Sequence, residues 1–210
     1  MYEYVIGIDQ SYTRTGICVI NAKTSKIIIA DSVDCKGCKN GYEKRMELRD
    51  RLGATLDSMI SDLGINRKEI LCIIERIRLF SQNKISQSYI ESAGSLKATI
   101  YDVFMDYGIP VYSVDTRSWK SQIVGTTKPK QNKFGINPNK YPTIEYIKRK
   151  GYLKYVVIPY KGKSKKGIIK VEINGSNISC KINDDLCDAI CIALYGTLPE
   201  NKRKLKEEKI

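Results

Sequence analysis

The sequence predicts an α/β protein in which a mixed central β-sheet is flanked by helices. Short apolar runs at 5–8, 17–20 and 71–74 are typical of strands buried on both faces. Two long segments, 42–63 and 86–107, have the spacing of amphipathic helices. At 210 residues the chain is long enough for one sizeable core. We therefore expect one domain over residues 1–198, with an insertion at about 126–182 and a charged tail at 199–210.

The strands and helices can be assigned in chain order. The first strand begins at Tyr4, and a polar turn leads through Gly16 into the second. A third strand is expected within 25–32, others at 70–74 and 109–114, a short helix at 142–150, and the last helix at 183–194. Residues 168–173 and 178–182 form a predicted hairpin, because Asn174-Gly175 is a strong turn signal.

Periodicity also predicts which helical residues reach the core. For the first long helix, which Gly64 should end, the expected apolar face is Met46, Leu48, Leu52, Leu56, Met59, Ile60 and Leu63. For the second it is Ile90, Ala93, Ile100, Phe104 and Tyr107.

Acidic residues occur at the ends of three predicted core elements. Asp9 ends the first strand, Glu75 follows the run 71–74, and Asp185 and Asp188 lie three residues apart in the first turn of the last helix. Each acid alone has an ordinary explanation as a turn or helix cap. Together they form the carboxylate set that two hard divalent cations need, which favours a metal site.

These motifs resemble the RuvC family of Holliday-junction resolvases, within the RNase H-like superfamily. The resemblance rests on strand–Asp9–turn–Gly16–strand, strand–Glu75, and the late Asp185-x-x-Asp188-Ala helix. It extends to the segments 84–98 and 114–125, so it covers about residues 4–125 and 183–196. The insertion, with its basic loop and β-hairpin before the last helix, is the part least like the family.

Two departures from the family pattern bear on the assignment. Asp9-Gln10-Ser11 stands where cellular members usually have Asp-Pro-Gly, so the chain is more similar to phage-type or viral resolvases. Cellular members also use an aromatic residue three positions after the Glu. That position is Arg78 here, with Phe80 two residues further on.

The resemblance implies a metal-dependent endonuclease that resolves four-way junctions as a homodimer. Asp9, Glu75, Asp185 and Asp188 would hold two Mg²⁺ ions, for which Mn²⁺ could substitute. Lys120 would neutralise charge in the transition state, although a plain surface lysine is an equal alternative. Asp184 is expected to cap the helix or support Asp185, and could exchange roles with it.

The charge of the chain points to a polyanionic partner. Lys and Arg number 36 against 23 Asp and Glu, a net charge of +13, and basic loops are predicted at 126–141 and 161–167. No long apolar span is present, so nucleic acid is favoured over a membrane. The expected DNA-contacting residues are Arg76, Arg78, Phe80, Lys84, Arg117, Lys128, Lys130, Lys163, Lys165 and Lys166.

Histidine and cysteine narrow the chemistry further. The chain has no histidine, which excludes histidine acid–base catalysis and ordinary zinc catalysis. Four of the seven cysteines, Cys18, Cys72, Cys187 and Cys191, lie in apolar runs and are expected in the core. For Cys35-x-x-Cys38 an exposed loop is favoured over a zinc or redox role. Free thiols, and a first strand that begins at Tyr4 with no signal segment before it, predict the cytoplasm, or a host cytoplasm for a phage or viral protein.

Three other functions remain open from the sequence. Another RNase H-like nuclease, acting on flaps, packaging DNA or RNA–DNA hybrids, would need the same acids. Actin-like ATPases and sugar kinases also begin with a strand, an Asp and a glycine-containing turn, but no second nucleotide motif is found. A non-catalytic DNA-binding module is disfavoured, because acids facing phosphate would weaken its binding.

Overall fold

A computed structural model describes residues 2–76, 86–131, 137–158, 168–173, 179–182 and 184–201. Its central sheet has five strands in the order β3-β2-β1-β4-β5. These strands are β1 (Tyr4–Asp9), β2 (Arg14–Asn21), β3 (Ile27–Asp34), β4 (Ile70–Glu75) and β5 (Val111–Val114). The predicted mixed α/β sheet is confirmed, since β1, β2 and β3 pair antiparallel whereas β4 and β5 run parallel to β1.

Helices cover both faces of this sheet. The helices are α1 (Gly41–Asp57), α2 (Gln87–Asp106), α3 (Thr116–Trp119), α4 (Tyr141–Arg149) and α5 (Asp184–Thr197). Strand residues alternate between two cores, as the pleat requires. Val5, Leu71 and Ile73 join the core that contains α5. Ile6, Ile8 and Ile74 join the core that contains α1 and α2.

The long helices begin at the caps that their sequences provide. The side chain of Asn40 accepts a hydrogen bond from the Glu43 amide at 2.9 Å, and the Glu43 carboxylate accepts one from the Lys39 amide. Ser86 caps α2 in the same way through the Tyr89 amide. Such bonds satisfy amides that the first helical turn leaves unpaired.

Helix α5 packs unusually close to the sheet, because two facing strand residues are glycines. A Cβ atom on Gly7 would lie 2.3 Å from the carbonyl oxygen of Ala189, and one on Gly16 would lie 2.3 Å from that of Asp185. Gly16 pairs with Asp9 across β1 and β2. The missing side chain at Gly16 therefore lets the backbone of Asp185 lie beside the end of β1.

The predicted hairpin before the last helix is part of a three-stranded antiparallel sheet. Its order is β6-β7-β8, with β6 (Leu153–Ile158), β7 (Ile168–Ile173) and β8 (Ser179–Ile182). Strand β6 was missed from the sequence, although residues 153–158 run apolar apart from one lysine. The predicted Asn174-Gly175 turn and the basic loop at 161–167 lie outside the described residues.

Three helical residues predicted in the core are exposed instead. After Asp57 the chain forms a π-helical turn at Ser58–Asp62, which inserts extra backbone and shifts the helical phase. Met59 stays buried, whereas Leu63 is 51% exposed. Met46, which lies before this turn near the start of α1, is also exposed. Ile90 is exposed because core contact in α2 begins only at Leu96. Gly64 ends the segment at φ +66°, as predicted.

The cysteine prediction is partly confirmed. Cys18, Cys72, Cys187 and Cys191 are buried, as expected. Cys35 is also buried, so the exposed loop predicted for it is wrong. The reason is that its amide donates to the Thr13 carbonyl at 3.1 Å, which draws the 3₁₀ turn Cys35–Gly37 against the sheet.

Among the described residues, no helix is long and apolar enough to cross a bilayer.

The close packing at Gly16 leads to a stability prediction. Gly16→Ala should lower the free energy of unfolding by at least about 1–3 kcal/mol, because its Cβ would collide with the backbone of α5 rather than with a flexible side chain. Gly94→Ala in α2 is the control. Its Cβ would meet no atom within 4 Å, so a gain of about 0.5–1 kcal/mol is expected. Urea unfolding measures both, and equal effects would contradict the argument.

Candidate active site

Two of the predicted acids lie where parallel strands end at the same sheet edge. Ile8 of β1 pairs with Ile74 of β4, so Asp9 and Glu75 follow at equivalent positions. Asp9 is buried and Glu75 is half-buried. The two strand ends are also joined by Gln10, whose Nε2 donates to the backbone carbonyl of Glu75 at 2.5 Å. The parallel pairing therefore brings two distant carboxylates to one place.

The first turn of α5 brings two more carboxylates to this edge. Asp185 lies with its backbone against Gly16, the residue paired with Asp9. Asp188, three residues further along the helix, is only 2% exposed. Its Oδ1 atom is buried without a hydrogen-bond partner in the described part of the chain. The neighbouring Asp184 is half-buried and adds negative charge beside Asp185.

A lysine from the predicted basic loop at 126–141 lies among these acids. The Nζ atom of Lys140 is 2.7 Å from Asp188 Oδ2, 3.6 Å from Asp9 Oδ2 and 3.8 Å from Asp185 Oδ1. The sequence predicted no role for Lys140 in the site. The one local feature that distinguishes this lysine is its position directly before Tyr141-Pro142, where a helix begins. Lys140 thus joins three acids that are far from it in the chain.

Glu75 is oriented by the short helix that follows β5. The Thr116 hydroxyl donates to Glu75 Oε1, and the indole Nε1 of Trp119 donates to Oε2 at 3.2 Å. Trp119 is fully buried, and Asp115 caps the helix through the Arg117 amide at 2.8 Å. Both carboxylate oxygens therefore have fixed donors, which restricts the rotation of the carboxylate. Neither Thr116 nor Trp119 was predicted to belong to the site.

The carboxylates carry more negative charge than their surroundings neutralise. Burial, followed by repulsion from Asp188, raises the pKa of Asp9 well above its usual range even though Lys140 opposes the change. Burial also raises the pKa of Glu75. Burial and the charge of Asp184 raise the pKa of Asp185 to about 6. Burial lowers the pKa of Lys140, but the charges of Asp188 and Asp9 outweigh it and raise the pKa overall.

This arrangement has the chemistry of a divalent-cation site. Its donors are hard carboxylate oxygens, which Mg²⁺ prefers. Asp188 Oδ1 lacks a partner among the described residues, and the cluster has an excess of negative charge. As they stand, however, the acidic and cysteine side chains of the described ranges do not form a group of three able to hold a metal ion. The aspartates are gathered around an ammonium instead, and would have to close in to ligate a metal.

The predicted cationic residues are placed differently from one another. Lys120 donates to the Asn139 carbonyl at 3.3 Å and lies 5.1 Å from the centre of the Trp119 ring, so it supports the turn that carries Lys140. Arg76, Arg117 and Lys128 are exposed. Lys130 is also exposed, and its Nζ is 2.7 Å from Glu145 Oε2. Arg78, Phe80, Lys84, Lys163, Lys165 and Lys166 lie outside the described residues.

Comparison with solved structures shows an RNase H-like fold. RuvC of T. thermophilus in complex with a Holliday junction substrate matches with a TM-score of 0.57 at 14% identity, over 97% of this chain and 96% of that chain. A second Thermus thermophilus RuvC structure matches with 0.56 at 15% identity, over 96% of each chain. The yeast mitochondrial Holliday junction resolvase Ydc2 has a TM-score of 0.45 at 17% identity, over 97% of this chain and 80% of that one. Neither a protein-family model nor a curated protein sequence matches the chain.

The raised pKa of Asp185 leads to a pH prediction. Since its folded pKa of about 6 exceeds the ordinary 3.8, the folded state binds more protons between these values, and stability must fall as pH rises through them. Without divalent metal, ionisation of Asp185 should lower the free energy of unfolding by about 1–3 kcal/mol as the pH rises from about 4 to about 7.

The matched test compares Asp185→Asn with Asp50→Asn, an exposed carboxylate on α1. Urea unfolding in a chelator, repeated across this pH range, should show a shallower decline for Asp185→Asn and a wild-type decline for Asp50→Asn. An unchanged slope in Asp185→Asn would mean that ionising this carboxylate does not strain the fold.

Proposed function

We propose that this protein is a metal-dependent endonuclease that hydrolyses phosphodiester bonds in branched DNA. The observation that carries the proposal is the convergence of Asp9, Glu75, Asp185 and Asp188 at one edge of an RNase H-like sheet. Burial and like charges raise the pKa values of Asp9, Glu75 and Asp185, which disfavours the folded state. Such an arrangement is expected at a site that binds cations rather than in a structural core.

The proposed ligands are Asp9, Glu75, Asp185 and Asp188, and the proposed ions are Mg²⁺, with Mn²⁺ as a substitute. When bound, such ions lower the pKa of water and stabilise the developing charge on the leaving oxygen. The orphaned Oδ1 of Asp188 supports a ligand role, because a buried carboxylate oxygen without a partner among the described residues is costly.

The residues around the acids have distinct supporting roles in this proposal. Thr116 and Trp119 fix both oxygens of Glu75, and Gln10 ties the ends of β1 and β4 together. Holding ligands in a fixed geometry reduces the reorganisation needed when charge develops. Lys120 lies beside the turn that carries Lys140, where its charge could act on a bound phosphate.

Branched DNA is the proposed substrate on two grounds. The net charge of +13 favours a polyanion, and exposed Arg76, Arg117, Lys128 and Lys130 supply cationic contacts. A similar fold occurs in RuvC bound to a Holliday junction substrate. A four-way junction has two equivalent strands to cut, so the proposal includes a homodimer with two related sites. A phage-type or viral resolvase is the proposed subclass, because Gln10-Ser11 replaces the Pro-Gly of cellular members.

Other RNase H-like nucleases are the alternative. They would use the same acids on a flap, on packaging DNA or on an RNA–DNA hybrid. One assay separates them, in which the purified protein and Mg²⁺ are offered a four-way junction, a three-way flap, a linear duplex and an RNA–DNA hybrid. Preferential, paired cutting of the junction supports the proposal. Preference for another substrate assigns the alternative, and no cleavage of any substrate would contradict a nuclease.

The carboxylates themselves provide a direct test. Asp9→Asn should lower junction cleavage by about a hundredfold or more, because it removes a charge at the centre of the cluster. Binding to the junction should persist, since it depends on the basic surface. Electrophoretic mobility shift and single-turnover cleavage measure the two properties.

The matched comparison is Asp184→Asn, at the carboxylate next to Asp185. A milder loss than in Asp185→Asn is expected if Asp184 only supports its neighbour. A larger loss of cleavage in Asp184→Asn than in Asp185→Asn would mean that Asp184 is the ligand and Asp185 the supporting residue. Parallel loss of folding and binding in Asp9→Asn would indicate a structural aspartate.

The predicted basic loops provide a second test. Replacing Lys163, Lys165 and Lys166 with Gln should weaken junction binding and reduce its salt dependence. The log–log slope should decrease by about 0.9 for each phosphate that the variant no longer neutralises. The control replaces Lys26, Arg67 and Lys68, which are exposed at the opposite sheet edge from Asp9, and it should leave the slope unchanged. Equal slopes in both triple variants would contradict a DNA-binding role for the loop.

A further inference from the structure

The feature that goes beyond the proposed function is the position of Lys140. Its Nζ atom contacts carboxylate oxygens from both the strand end and the first turn of α5, and the shortest distance is the 2.7 Å to Asp188 Oδ2. The Lys140 side chain is 27% exposed, so its charge reaches from solvent into the cluster. The ammonium therefore lies among carboxylates of both elements, where their charges attract it.

A short turn holds this lysine in place. The amides of Lys140 and Tyr141 donate to the Asn137 carbonyl, and Lys120 donates to the carbonyl of Asn139. Directly after the turn, α4 is anchored by buried Ile144 and Ile147. The backbone at Lys140 is thus fixed at one end by a packed helix, while its long, flexible side chain lets the ammonium swing.

The ammonium and a divalent ion compete for the same carboxylates. An ion on Asp188 Oδ1, which has no hydrogen-bond partner in the described ranges, would lie next to the ammonium that bonds Oδ2 of the same group. Mg²⁺ ligates carboxylate oxygens at about 2.0–2.1 Å, but Asp188 Oδ2 already bonds the ammonium. The Asp9 and Asp185 oxygens are 3.6 and 3.8 Å from Nζ. These distances suit oxygens around an ammonium but are too long for ligands of a metal ion at the same position. Two cations held so close together on one carboxylate would repel each other.

We infer that Lys140 is a tethered cation that occupies the carboxylate cluster in the absence of divalent metal, and that metal binding displaces its ammonium. This inference rests on the metal site of the proposed function and concerns how that site is filled. With the lysine in place, the negative charge of the four acids is partly neutralised, and the first turn of α5 stays packed against β1. When metal binds, the ammonium is released towards the mouth of the site, where a phosphate can take it.

The displacement reduces the apparent affinity for metal. A state that blocks binding lowers affinity in proportion to its population. Removing the lysine ammonium should therefore tighten Mg²⁺ binding, and coupling energies of the usual size correspond to about five- to 150-fold. Calorimetric titration of Mg²⁺ into the DNA-free protein measures this without any cleavage assay.

Lys140→Met is the main variant, and two others control for it. Lys120→Met removes a positive charge that contacts the same turn but is bonded to the Asn139 carbonyl, so it reports the general electrostatic effect. Lys140→Arg keeps the competing charge and should stay near wild-type affinity. Tighter binding in Lys140→Met than in Lys120→Met supports displacement, and equal tightening in both overturns it.

A second measurement uses the wild-type protein, in case Lys140→Met fails to fold. Amine acetylation followed by mass spectrometry should show that Lys140 becomes more reactive when Mg²⁺ is added at constant ionic strength. Lys130, whose ammonium is held by half-buried Glu145, is the internal control and should not change.

The outcomes separate the inference from the function on which it rests. Equal Mg²⁺ affinity in wild type and Lys140→Met, or weaker affinity in the variant, overturns the tethered-cation role while the metal site stands. Unchanged Lys140 reactivity in protein that demonstrably binds Mg²⁺ overturns it as well. Absence of Mg²⁺ binding in both proteins overturns the proposed metal site, and the inference with it.

Discussion

Helix α5 reaches the acids of the sheet only because its backbone touches strands β1 and β2. Gly7 and Gly16 allow this contact, since a Cβ on either would lie 2.3 Å from a helix carbonyl oxygen. Because Gly16 is also the partner of Asp9 in the sheet, the contact sets the first turn of α5 beside the end of β1. Without it, the aspartates of α5 would stand off from Asp9 by the width of a side chain. The packing of two glycines thus decides whether three carboxylates can share one cation.

The same contact makes the site unfavourable for the folded state. Burial and mutual repulsion raise the pKa values of Asp9, Glu75 and Asp185, so each ionised carboxylate opposes folding near neutral pH. Local bonds offset this in part, from Lys140 to Asp188 and from Thr116 and Trp119 to Glu75. The rest must come from the two apolar cores on either face of the sheet. A cluster maintained against this strain is typical of a functional site rather than a structural one.

The elements that could be predicted from the sequence are those with strong local signals. Strands β1 and β4 are apolar runs closed by an acid, and the small and apolar residues of α5 repeat with helical spacing.

The errors in the sequence-based prediction have physical causes. A π-helical turn after Asp57 changed the phase of the helix and exposed Leu63. Ile90 fits the apolar spacing of α2 but lies in its exposed first turn. Strand β6 is stabilised by pairing with β7, a partner that periodicity alone does not reveal.

Short windows of hydrophobic pattern and charge are enough to identify the α/β class, the central strands and the four candidate carboxylates. How those carboxylates are neutralised depends instead on the tertiary structure. Lys140 is 48 residues from Asp188, and Thr116 and Trp119 are 41 and 44 residues from Glu75, so no local pattern links these partners. Electrostatic partners are chosen by distance in space, and that distance is set by the parallel pairing of β1 with β4 and by the glycines beneath α5.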